Sequence, residues 1–181
     1  RSALQIAKKV ATSPIGEEPN LMAGNISNSN IWEDSPSKDL EVRKMFSEMV
    51  GWACEEGADI LIGETFYYAK EAYSALEVMK ETGLPTVITI APMGENIMRD
   101  GVSIVDTCKE LEQKGADVVG MNCFRGPATM IPYIKEIRKS LKCHVAALPI
   151  NYRTTKKNPT FFNLPDNNGC SCHTPHKTPF P

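Results

Sequence analysis

Three polar residues stand directly behind apolar runs in this chain. Ala116-Asp-Val-Val-Gly-Met-Asn-Cys123 leads through an apolar stretch, 118–121, to an amide and a thiol, Asn122 and Cys123. Ile60-Leu-Ile-Gly-Glu-Thr-Phe66 carries Glu64 behind a second such stretch. A thiolate can attack an electrophile or bind a soft metal, and a carboxylate can hold an ammonium group. Each residue also has a plainer use. Free cysteine is often a buried small hydrophobe, and a glutamate can pair with lysine or favour a helix start. Placement separates these uses: in parallel α/β architectures, the carboxyl ends of the strands form the reactive face. Glu64, Asn122 and Cys123 all fall at such ends.

The elements that must hold them there follow a strand–helix alternation. Apolar runs at 21–26, 60–66, 86–91, 118–123 and 144–150 read as strands. Between them lie period-3.6 apolar faces, such as Val42, Phe46, Val50 and Ala53, or Ile104, Cys108 and Leu111. Residues 1–10 read as an amphipathic helix. Gly-Ala-Asp recurs at 57–59 and 115–117, each time between a helix end and a strand start, and glycine there closes a helix. The strands barely alternate, which predicts helices covering both faces. Repeated βα units favour a parallel sheet, either a (β/α)8 barrel or an open doubly wound one. Five strands are visible, whereas a barrel has eight and typically about 250 residues. The fold class expected is α/β, a partial (β/α)8 barrel with an irregular C-terminal tail.

Composition excludes several functions. With 20 basic and 22 acidic side chains among 181 residues, there is no electrostatic case for nucleic acid or an anionic membrane. No apolar run approaches the ~20 residues that span a bilayer. Six cysteines scattered through an α/β pattern point to a reduced compartment rather than a disulfide framework, so the expected location is the cytoplasm. Trp32, Trp52, Tyr67, Tyr68 and Tyr73 read as packing residues. Beyond Tyr152 the composition turns polar, and 165–181 is expected to be a disordered or non-homologous tail. Its Cys170, Cys172, His173 and His176 suit zinc by type but match no common finger spacing.

Together, four segments resemble the homocysteine S-methyltransferase family, most closely its betaine–homocysteine branch. Leu21-Met-Ala-Gly-Asn-Ile-Ser27 resembles the third barrel strand, and Ile60-Leu-Ile-Gly-Glu-Thr-Phe66 with Glu71-Ala72 the fourth. Val118-Val-Gly-Met-Asn-Cys123 resembles the sixth and Ala147-Leu-Pro-Ile-Asn-Tyr152 the seventh. The resemblance implies a partial homocysteine-binding barrel over 1–164, covering strands three to seven. It implies Glu64 and Asn122 as substrate-binding residues and Cys123 as a zinc ligand. The reaction implied is methyl transfer from a small donor such as betaine to zinc-activated L-homocysteine, giving methionine. Zinc suits the task because it lowers a thiol's pKa and holds it as thiolate.

The departures are specific. The Gly-Gly-Cys-Cys pair that completes the family's zinc site does not occur in the sequence. Thr65 stands where the betaine branch has tyrosine, and Leu148 where it has glutamine. The expectation is therefore a methyltransferase impaired in this chain alone, self-associating or pairing with a full-length relative. The alternative is a non-catalytic barrel fragment serving as a binding or partner subunit. A third possibility, Cys123 as the nucleophile of an unrelated barrel enzyme, lacks a histidine partner, since His144 begins its strand.

Overall fold

A computed structural model describes residues 1–13 and 20–164. Helix α1 (Ser2–Ala11) precedes five strands and four helices in strict alternation: β1 (Ala23–Ser27), α2 (Pro36–Glu55), β2 (Ile60–Phe66), α3 (Ala69–Lys80), β3 (Thr86–Ile90), α4 (Ile104–Gln113), β4 (Val118–Asn122), α5 (Pro127–Ser140) and β5 (His144–Leu148). A 3-10 turn, Phe161–Asn163, follows. All pairings are parallel, and the strand order is β1-β2-β3-β4-β5. No strand is inserted out of order, so the doubly wound alternative, with its topological reversal, does not describe this sheet.

Local chemistry sets the helix starts. Ser35 caps α2 by accepting from the Lys38 N–H, with Pro36 in the first turn, and Ser103 caps α4 by accepting from the Asp106 N–H. Each hydroxyl satisfies one of the orphan donors of a helix N-terminus. The Gly-Ala-Asp repeats do more than end helices. Gly57 and Gly115 take φ of 84° and 93°, and Ala58 and Ala116 enter the core. The aspartates then clamp the neighbouring strand. Asp59 accepts from the Met22 N–H at 2.7 Å, and Asp117 accepts from the Thr86 N–H at 2.8 Å and hydroxyl at 2.9 Å. Their own N–H groups donate back to the Met22 and Thr86 carbonyls. Each repeat therefore pins the register of one adjacent pair, β1–β2 and β3–β4.

The expectation of helices on both faces is corrected. Neighbouring helices pack side by side, α2 on α3, α3 on α4 and α4 on α5, and the core lies between this layer and one sheet face. Ile26, Leu61, Phe66, Ile88, Ile90, Val119 and Met121 meet there with Phe46, Leu76, Met79 and Leu111. Burying each such side chain stabilises by about 1.5–3 kcal/mol. Gly24 and Gly63 belong to this face, since a Cβ on either would strike Ala53 or Ile88. The other face carries Asn25, Ile62, Glu64 and Val87, none of them fully buried. It is apolar enough to mimic a buried strand in sequence. The strand read at 21–26 begins at Ala23, and those read at 118–123 and 144–150 stop at Asn122 and Leu148. The edge strand β5 leaves Leu148 49% exposed.

Candidate functional site

The site assembles where β1, β2 and β4 end. In β2 the regular register breaks between Gly63 and Phe66, and Thr65 takes φ of 66°. This bulge keeps Glu64 in register with Ser27 of β1 while turning the chain toward β4. Asn25, two residues before Ser27 on the same face, donates its amide to Glu64 Oε1 at 2.5 Å. From the other side Asn122 Nδ2 reaches Glu64 Oε2 at 3.4 Å. Asn122 is 5% exposed, and its stronger bonds go to Thr65: Oδ1 accepts from the Thr65 N–H at 3.0 Å, and Nδ2 donates to Oγ1 at 2.7 Å. The result is a half-buried carboxylate flanked by two amides on the face away from the helices.

Cys123 follows β4 directly, half-buried, with φ of 57°, and Phe124 continues at 52°. Two successive non-glycine residues in the left-handed region cost roughly 1–2 kcal/mol each, so the surroundings must hold them. They do so through both backbone and rings. Cys123 N–H donates to the Leu148 carbonyl at 3.1 Å, and Arg125 N–H donates back to the Cys123 carbonyl at 2.6 Å. Phe124 stacks on Tyr67 at 5.5 Å between centroids and also meets Phe161 and Phe162. Backbone strain of this kind concentrates at functional sites. It sits here on the thiol and beside the carboxylate.

Glu64 and Cys123 lie at the same end of the sheet but not on adjacent strands, since β3 runs between β2 and β4. Asn122 joins the two ends. A group of three His, Cys, Asp or Glu side chains placed to hold a metal is not found among the described residues. Cys170, Cys172, His173 and His176 lie outside those residues.

Sequence reasoning used Glu71 only as part of the fourth-strand resemblance and gave it no role. It is 1% exposed on α3 and accepts from both the N–H (2.7 Å) and the hydroxyl (2.6 Å) of Ser29. It thereby ties down the loop after β1. Burial raises its pKa above the ordinary carboxylate value, and the Ser29 hydrogen bonds only partly offset this. Its position on an α3 face rich in alanine was the available signal. Tyr67 and Tyr68 do pack, but around the loops: Tyr68 against Trp32 at 4.9 Å, and Arg99 over both tyrosine rings.

With this geometry in place, comparison with known proteins is informative. Residues 1–168 match the family model for homocysteine S-methyltransferase. The chain is 32% identical over 160 residues to betaine–homocysteine S-methyltransferase 1 of Xenopus tropicalis, covering 84% of this chain and 38% of that one. It is 30% identical over 171 residues to the Danio rerio protein of the same name, covering 94% and 39%. It is 29% identical to the S-methylmethionine–homocysteine S-methyltransferase of Pongo abelii, covering 84% and 42%. The chain thus spans about two-fifths of the length of these relatives. Among solved structures, the apo homocysteine methyltransferase MmuM from Escherichia coli aligns with TM-score 0.54 at 15% identity, over 76% of this chain and 60% of that one. That likeness concerns the fold. The family match covers nearly the whole sequence, and the chain belongs to the homocysteine S-methyltransferase family.

Proposed function

We propose that these residues form strands three to seven of a (β/α)8 barrel and carry the amino-acid-binding part of a methyltransferase that makes methionine from L-homocysteine. The sequential strand order and single helix layer support the barrel reading. The observation that carries the function is the Asn25–Glu64–Asn122 cluster at the strand ends. Glu64 offers negative charge to the substrate ammonium, and the two amides orient the carboxylate. Asn122 contributes mainly by fixing the bulge that presents Glu64.

Zinc is the harder part. One thiolate does not make a zinc site, which needs three protein ligands and an open position for catalysis. The described residues do not supply that set. Cys123 is proposed as one ligand, with the others contributed from outside the described residues. A small methyl donor completes the reaction. The relatives' names include both betaine and S-methylmethionine, and Thr65 and Leu148 weigh against betaine. The four described cysteines are free, and no helix among the described residues is long and apolar enough to cross a membrane. We place the protein in the reducing cytoplasm and expect it to self-associate or pair with a longer relative.

Glu64→Gln tests the reading. A charge-assisted hydrogen bond contributes about 1.5–3 kcal/mol, so L-homocysteine affinity measured by calorimetry should fall roughly 10- to 150-fold. Unchanged affinity would remove Glu64 from the site. Binding without methionine formation, with either donor, would favour the non-catalytic binding subunit.

A further inference from the structure

A cavity of about 410 Å³ opens beside the strand ends between the start of α5 and the segment after β5. Its volume falls in the range of small-molecule sites, about 300–1,000 Å³. It shares no residue with the Asn25–Glu64–Asn122 cluster. Its most unusual wall is Arg125, which is 1% exposed. The guanidinium donates through Nη2 to the Gly94 carbonyl at 2.5 Å and lies over the Tyr133 ring at 5.1 Å. Its Nε is buried and has no hydrogen-bond partner among the described residues. A buried, incompletely satisfied cation is costly unless something anionic completes it.

The surroundings are built rather than accidental. Thr154 accepts from the Gly126 N–H at 2.9 Å and bonds the Thr129 hydroxyl at 2.6 Å, and Thr129 reaches the Pro159 carbonyl at 2.9 Å. A Cβ on Gly126 would stand 1.9 Å from the Tyr152 carbonyl oxygen, so the segment after β5 is seated directly on the β4–α5 turn. Ala128 and Thr129, from the first turn of the 14-residue α5, line the cavity. The positive end of the helix dipole therefore adds to Arg125. Lys156 and Glu95 also line it, which leaves one net positive charge. Pro132, Tyr133 and Pro159 provide apolar walls.

We propose that this cavity is a binding site for a small monocarboxylate with an apolar body. The carboxylate meets Arg125 and the α5 N-terminus, and the body lies against Tyr133 and the prolines. A single net positive charge balances a monoanion better than a dianion, and the apolar walls disfavour a bare inorganic ion. The site is independent of the homocysteine reading, because none of its residues lies on the open sheet face.

NMR titration of the full chain with benzoate as probe provides the test, with benzamide as neutral isostere and inorganic phosphate as competing anion. Benzoate should bind saturably, with shifts centred on Thr129, Tyr133 and Thr154, and benzamide at least roughly tenfold more weakly. Ala128→Phe, which fills the cavity from an exposed helix position, should weaken benzoate roughly tenfold or more while preserving the remaining spectrum. Arg125→Gln should do the same. If Arg125→Gln unfolds the chain, Ala128→Phe decides alone. Equal binding of benzamide, tighter binding of phosphate, shifts centred on Glu64, or no saturation by about 10 mM would each overturn the proposal.

Discussion

Removing the Asn122 side chain is the sharpest test of how the candidate site is held. The amide makes two good hydrogen bonds to Thr65, at 3.0 and 2.7 Å, and lies 5% exposed between strand ends. Each bond contributes about 1 kcal/mol net, and truncation to alanine leaves a small cavity costing about 1 kcal/mol more. Asn122→Ala should therefore lose about 3 kcal/mol of stability, lowering Tm by roughly 6–12 °C for a chain of this size. Thr65→Val deletes the hydroxyl while keeping the shape. In a double-mutant cycle with Asn122→Ala, it should show coupling of about 1 kcal/mol, within the usual range for contacting residues. Urea unfolding of the four proteins supplies the numbers, provided each unfolds in one transition. Glu64→Gln is the internal control. Its bonds are to Asn25 and, at 3.4 Å, to Asn122, so it should alter binding far more than stability. If Asn122→Ala stays within about 0.5 kcal/mol of the parent, or the coupling vanishes, Asn122 is not what holds the bulge and the site geometry argued above fails.

Other outcomes follow from the same packing. Gly120→Ala should cost about 3 kcal/mol, because its Cβ would stand 1.9 Å from the Ala146 carbonyl oxygen of β5. Gly51→Ala in α2, with nothing within 4 Å, should gain about 0.5–1 kcal/mol; thermal melts that rank the two alike would contradict the close β4–β5 approach. Burial raises the Glu71 pKa, so the folded state holds a proton that the unfolded state releases near the ordinary glutamate value of about 4.5. Stability relative to Glu71→Gln should therefore decline as pH rises from about 4.5 through the folded-state pKa, and a pH-independent difference in urea midpoints would refute this. Finally, among the described residues β1 and β5 are sheet edges, and the face opposite the helices is incompletely covered. Unpaired edges invite association, so light scattering on the 181-residue polypeptide should show oligomers growing with concentration; a monomer with one sharp unfolding transition would show that five strands suffice.

How much of this was legible in the sequence depended on whether the signal was local. Strand positions were readable because each apolar run is short, and three of the five follow Gly-Ala-Asp or Gly-Leu-Pro. Helix faces were readable because Val42, Phe46, Val50 and Ala53 repeat at helical spacing. The coverage of the sheet was not. Ile60, Ile62, Val87 and Val118 are apolar like their helix-facing neighbours, so hydropathy cannot separate a face under helices from one turned away from them. The left-handed residues Thr65, Cys123 and Phe124 gave no warning, since none is glycine and their conformations are imposed by contacts from β4, β5 and the Phe161–Phe162 pair. The clamping role of Asp59 and Asp117 was not legible, because the strand residues they bond, Met22 and Thr86, are distant in sequence. Nothing local in the sequence marked Arg125. It is buried because residues 150–161 return over the turn, with Ile150 N–H donating to the Arg125 carbonyl and Phe161 N–H to that of Phe124.

The placement of the polar residues divides the proposed chemistry in two. Holding an amino acid by its ammonium group requires a fixed carboxylate, and Glu64 with its flanking amides is complete within β1, β2 and β4. Activating a thiol requires several soft ligands around one metal, and among the described residues Cys123 stands without such companions, across β3 from Glu64. These tasks therefore draw on different parts of the polypeptide, and neither enforces the other. A polypeptide stripped of the remaining ligands should recognise homocysteine without deprotonating its sulfur, so substrate binding would outlast turnover. The strain at Cys123 and Phe124 fits this division. It is held by backbone hydrogen bonds to Leu148, Arg125 and Phe161 and by the aromatic cluster, so the thiol's position does not depend on a metal.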